Sequence, residues 1–66
     1  MKTLDYYNPQ QQRDLDGHWA YHPHYGDVLL HTAQESNHPD NTTITIYHTG
    51  KPETANVNTA DLTPHP

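Results

Sequence analysis

Thr42-Thr43-Ile44-Thr45-Ile46-Tyr47-His48 is the stretch on which the fold turns. Nearly every residue in it is β-branched or aromatic, types that pack well on a pleated, half-buried surface and lose side-chain freedom in a helix. Its alternation separates Ile44 and Ile46 from Thr43, Thr45 and Tyr47, so period two predicts a strand with both isoleucines turned to a core.

A lone strand has no stable use for such a face, and the flanking sequence supplies its partners. On the N-terminal side, Glu35 to Asn41 holds Ser36, Asn37, Pro39 and Asp40, which is turn chemistry. Before it, Asp27-Val28-Leu29-Leu30-His31-Thr32-Ala33 has the densest aliphatic content in the chain and is the expected central strand. Tyr25-Gly26-Asp27 turns the chain into it from His18-Trp19-Ala20-Tyr21-His22, which also alternates. By size and apolar area, Trp19 and Tyr21 are expected on the core face of that first strand, with His18, Ala20 and His22 opposite.

On the C-terminal side, Thr49-Gly50-Lys51-Pro52 reads as a turn, with Gly50 free to take positive φ. A further strand is expected over Thr54–Asn58, carrying Val57, and Leu62 returns an apolar anchor. Thr63-Pro64-His65-Pro66 is expected to be an exposed tail, because alternate prolines deny strand hydrogen bonds. At the other terminus, Asn8 followed by Pro9 resembles an N-cap with proline at the first helical position, and Gly17 would end a short helix over residues 9–15. Only Leu15 is apolar within it, so residues 1–16 form an arm that either docks through Leu4, Tyr6 and Tyr7 or stays mobile.

The expected fold is mostly β: a small antiparallel curled sheet or SH3-like partly open barrel of three to five short strands, with a short N-terminal helix. Residues 17–62 form the single small β domain, 1–16 the arm and 63–66 the tail. Trp19, Tyr21, Val28, Leu30, Ile44, Ile46, Val57 and Leu62 are its expected core. The order of features over residues 17–64 is similar to small SH3-like barrels: an aromatic first strand, Tyr25-Gly26-Asp27 leading into Val28-Leu29-Leu30, the Ile44–Tyr47 strand, the Gly50-Lys51 turn, and a closing Val57 to Leu62-Thr63-Pro64. The chain lacks the basic surface of nucleic-acid-binding members and the acidic loop and paired-aromatic motif of proline-peptide-binding members. The resemblance therefore implies an architecture and carries no ligand.

Composition bounds the function. Nine of 66 residues are Leu, Ile or Val and none is Phe, about 14% against the roughly 20% below which chains tend to disorder, so the margin for folding is narrow. There is no cysteine, hence no disulfide framework and no thiolate metal site. No apolar run exceeds Val28-Leu29-Leu30, which leaves neither a membrane-spanning segment nor the apolar core of a signal peptide; a cytoplasmic protein without a membrane partner is expected. Lys2, Arg13 and Lys51 are dispersed among eight acidic residues and cannot build a phosphate-binding patch, which argues against nucleic acid.

Two residue classes stand out. His18, His22 and His24 fall close together, and even positions of a strand share a face, so they are candidate ligands for Zn²⁺, Ni²⁺ or Cu²⁺ if a bend at Pro23 or a cross-strand partner such as His31 or Asp27 cooperates. Seven histidines also mean that the formal charge, −5 with neutral imidazoles, would rise to +2 if all were protonated. The other class is aromatic: Tyr6, Tyr7, Tyr25 and Tyr47 combine large area with a hydrogen-bonding tip and are candidates for a contact surface. Ser36 is the one serine, sits in an expected loop, and no glycine-rich phosphate loop is present. The expected function is a small non-enzymatic interaction or accessory module, with no cofactor, acting through a protein partner or self-association. The alternative is a histidine-based divalent-metal-binding protein.

Overall fold

A computed structural model describes residues 2–34, 38–47 and 50–65. The start of the expected 35–41 turn, the end of the expected Thr42–His48 strand and the start of the Thr49–Pro52 turn lie outside this set: Glu35, Ser36, Asn37, His48 and Thr49, like Met1 and Pro66, are not described.

Five antiparallel strands form one unclosed sheet in the order β4-β3-β2-β1-β5. They are β1 (Trp19–His22), β2 (Gly26–His31), β3 (Asn41–Ile46), β4 (Glu53–Asn58) and β5 (Thr63–Pro64). The aliphatic-rich strand β2 is central, as its composition predicts. Opposite it in β3, Ile46 faces Val28 and Ile44 faces Leu30, so the four side chains form one patch on the inner side of the sheet. That face is covered by a layer made from the chain ends: a 3-10 turn (Leu4–Tyr6), the helix α1 (Pro9–Asp14) and a second 3-10 turn (Thr59–Asp61). Leu4 and Leu62 are fully buried within the same cluster as Ala20, Val28, Leu30, Ile44 and Ile46, and the Leu4 amide donates to the Leu62 carbonyl at 2.7 Å. The arm is therefore docked.

The helix begins where the sequence places it. The Asn8 side chain accepts from the Gln11 amide, the Gln11 side chain accepts from the Asn8 amide, and Pro9 opens the first turn, a reciprocal cap that satisfies two otherwise orphaned donors. Its buried residue is Gln12. The side-chain amide of Gln12 lies 3.0 Å from the Tyr7 carbonyl, 3.2 Å from that of Leu4 and 3.4 Å from that of Pro39, so a polar group replaces the apolar face that this helix lacks.

Three expectations are corrected. Trp19 and Tyr21 are not core: they are 47% and 49% exposed, while Ala20 and His22 are buried. The alternation of β1 is as expected but its polarity is reversed, because Ala20 pairs with Val28 and Trp19 with Leu29. The inward-facing Val28 and Leu30 thus carry Ala20 inward and Trp19 outward. Val57 is half-buried at the margin of the core rather than within it. Finally, Thr63–Pro64 is not a free tail but β5, paired with Ala20 and Tyr21 of β1. His65 donates its amide to the Trp19 carbonyl at 3.0 Å, so in this antiparallel pairing residues 63 and 65 face β1 and the ring nitrogen of Pro64 faces away. Proline is tolerated on an edge strand in that phase.

Gly26 closes the β1–β2 hairpin. His22 pairs with Gly26 across a three-residue loop, and Gly26 has φ +76°, the left-handed residue such loops require. A Cβ there would meet nothing within 4 Å, so conformation rather than crowding selects glycine.

Candidate functional site

The principal-axis extents are 32 × 27 × 17 Å, and the short one accommodates the sheet and one covering layer, since layers pack about 10 Å apart. No described element lies on the outer side of the sheet. An antiparallel sheet ordinarily dresses such a face with polar residues. Here β3 and β4 do so with Thr43, Thr54 and Asn56, but β1 and Tyr47, the residue after β3, instead present rings.

Trp19 and Tyr47, the latter 44% exposed, reach each other across β2 with centroids 5.6 Å apart and planes tilted by 49°. Trp19 and Leu29 sit opposite one another in a pair whose backbone groups turn away from each other, because the neighbouring His18 carbonyl takes the Leu30 amide. Side chains come closest in that arrangement, which props the indole against the aliphatic side chain. Extending the β2–β3 register by one residue sets Tyr47 beside Asp27.

Trp19, Tyr25, Gly26, Asp27 and Tyr47 line an open cleft of about 510 Å³. Tyr25 comes to it from the hairpin loop, half-buried, with its ring 4.8 Å from those of both His22 and His24. The Asp27 carboxylate oxygen Oδ1 accepts from Nε2 of His65 at 2.9 Å, which fixes the carboxylate at the rim while leaving it 69% exposed. None of the lining residues is Lys or Arg. The site is therefore the Trp19 and Tyr47 rings beside one oriented anion, with Tyr25 at its edge, its ring packed on the core and against His22.

Of the expected contact residues, the structure brings Tyr25 and Tyr47 together and leaves Tyr6 and Tyr7 outside the cleft. Tyr7 packs on the core, and Tyr6, edge-on to it with centroids 6.0 Å apart, is covered on one side by Lys2, whose Nζ lies 4.1 Å from the ring centroid. Trp19 and Asp27 are the additions. Size and apolar area alone favour Trp19 in the core; the three-residue hairpin loop, which places Ala20 opposite Val28, is what sends Trp19 outward.

The candidate ligands His18, His22 and His24 are not brought together around one point. His22 is buried and its Nδ1 accepts from the amides of His24 at 3.0 Å and Tyr25 at 3.4 Å, so this nitrogen stabilises the hairpin loop. His18 and His24 are exposed, and His31 bonds through Nε2 to the hydroxyl of Thr45. Among the described residues no group of three His, Cys, Asp or Glu side chains is placed to hold a metal ion. No described helix is long and apolar enough to cross a membrane. No family model, no curated protein and no solved structure matches the chain.

Proposed function

We propose that this chain is a non-enzymatic protein-interaction module that docks a partner protein on the outer face of its sheet, seating a Lys or Arg side chain of that partner against Trp19 and Tyr47 beside Asp27. The observation that carries the reading is the Trp19–Tyr47 pair, two large rings in contact yet each nearly half exposed in a chain with few apolar residues to spare. Tyr, Trp and Arg dominate the energetically important positions of interfaces. A cation held over an indole or phenol face gains about 0.5–2 kcal/mol. The carboxylate of Asp27, the absence of basic lining residues and the formal charge of −5 all favour a basic partner segment over an acidic one.

The five-stranded order is compatible with the SH3-like outline suggested by the sequence, and a cytoplasmic setting, inferred from a chain without cysteine, belongs to the same proposal.

Selection from a displayed library of random short peptides, with the Trp19→Ala chain as counter-selection, tests it. Enriched peptides are expected to contain Lys or Arg and to lose at least about tenfold in affinity on Trp19→Ala, the loss typical of a central interface aromatic. Asp27→Asn should weaken the same peptides while leaving thermal unfolding nearly unchanged. Enrichment of peptides that lack cations, or that bind the Trp19→Ala chain equally well, would overturn the reading.

A further inference from the structure

The two edges of the sheet are unequal. β5 is two residues long and contains Pro64, the kind of short, proline-bearing strand that resists pairing with another chain. β4, Glu53-Thr54-Ala55-Asn56-Val57-Asn58, is six residues long, contains no Pro, Lys or Arg, and has one charge at its start. Its only neighbour in the sheet is β3. That one charge, at one end of the strand, is the protection β4 itself carries against pairing.

The hydrogen-bonding phase shows what this edge offers. The Thr59 amide donates to the Asp40 carbonyl at 3.0 Å, continuing the register in which Thr42 faces Val57 and Ile44 faces Ala55. In an antiparallel ladder the bonded pairs recur every second residue, so Glu53, Ala55, Val57 and Thr59 turn their backbone groups to β3. Thr54, Asn56 and Asn58 turn theirs to the open side.

We infer that β4 is the joint of a symmetric dimer, pairing antiparallel with β4 of a second copy about a two-fold axis at Asn56. Only registers that match the outward-facing residues 54, 56 and 58 to one another are allowed. Centring on Asn56 sets Thr54 against Asn58 and Asn56 against its own copy on the outer face, and Ala55 against Val57 on the inner face. Polar residues thus meet polar ones, and the half-buried Ala55 and Val57 meet each other's copies. Glu53 falls at the two far ends of the joint, away from its own copy, so the one charge of the strand is not opposed to itself. Centring on Ala55 instead would set Val57 against Glu53. The self-complementarity of this strand is what selects a second copy as the occupant.

A two-fold axis normal to the sheet keeps both outer faces on one side. The dimer is then a continuous ten-stranded sheet carrying two clefts centred on β2, five strand spacings or about 24 Å apart across the strands and further offset along them, because the cleft does not lie level with Asn56. A partner with two suitably spaced basic segments would bind both.

Sedimentation equilibrium on the full chain tests the joint. The mass is expected to rise from 7.6 kDa toward twice that value as concentration approaches about 1 mM. Asn56→Pro removes an amide hydrogen that β3 does not use, and should hold the chain at 7.6 kDa with its far-ultraviolet spectrum intact. Asn56→Lys keeps every backbone donor but sets two cations face to face on the axis, and should weaken association at least about tenfold. Trp19→Ala should leave the dimer untouched, which separates this joint from the docking cleft. A chain that stays monomeric throughout, a dimer that survives both Asn56 variants, or one lost in Trp19→Ala but kept in Asn56→Pro would each overturn the assignment.

Discussion

Leu30→Ala is expected to bring the protein to the edge of unfolding, with its urea midpoint falling by half or more. Leu30 lies on the central strand, fully buried, with Ile44 opposite in β3 and β1 bonded along its other side. Truncating a buried leucine to alanine costs about 2–5 kcal/mol, the higher values arising where neighbours cannot close the cavity. Here they are held by hydrogen-bonded strands on both sides, so about 3–4 kcal/mol is expected. A chain of this length has about 3–10 kcal/mol of total stability, and its scarcity of strong hydrophobes puts it toward the lower part of that range. Trp19→Ala is the matched comparison, because it deletes a larger side chain that is 47% exposed and should cost about 1–2 kcal/mol, less than Leu30→Ala. Urea unfolding followed by far-ultraviolet circular dichroism reads both. A loss on Trp19→Ala equal to or larger than that on Leu30→Ala would mean that the indole, not the inner face, carries the core.

The contrast between those two residues also marks where the sequence is legible. In β3 the two isoleucines and three threonines differ enough in character that period two determines both the strand and its inner face. In β1 the alternation is equally clear, but Trp-Ala-Tyr-His carries no reliable polarity: size and apolar area favour Trp19 and Tyr21 inside, and the register with β2 decides otherwise. That information is spread over two strands and a loop length rather than contained in one segment. The same holds for Pro64, whose fitness for a strand depends on which way its nitrogen faces relative to β1. It holds again for the arm, where Leu4 is buried because Leu62 and the sheet's inner face lie under it, not because of anything within residues 1–16. The cleft is half legible for this reason. Tyr25 and Tyr47 follow from residue type, whereas Trp19 and Asp27 join them only once the register is known.

The second large effect is expected at Gln12, where no apolar pattern draws attention. Its side-chain nitrogen faces the carbonyls of Leu4, Tyr7 and Pro39, while its buried Oε1 has no hydrogen-bond partner among the described residues. The site is thus built for a donor, and it ties the arm to the turn before β3. Gln12→Glu keeps the shape, removes both amide hydrogens, and sets a carboxylate among three carbonyl oxygens. An uncompensated buried charge costs about 3–5 kcal/mol, comparable to the whole stability of the domain. Desolvation and the facing carbonyl dipoles both disfavour the ionised form, so the introduced carboxyl must titrate above its unfolded value near pH 4.3. The sign of the pH dependence follows. Below that value the carboxyl is protonated in both states and its O–H can donate to one carbonyl, so the penalty is smallest; it grows as pH rises and is complete above the folded-state pKa. Unfolding of Gln12→Glu beside the unsubstituted chain at about pH 4 and about pH 7 should therefore show the larger stability difference at the higher pH. An equal difference at both would mean that the arm lifts away and leaves the carboxylate in water, and the three carbonyls would then not be the tether that the geometry makes them.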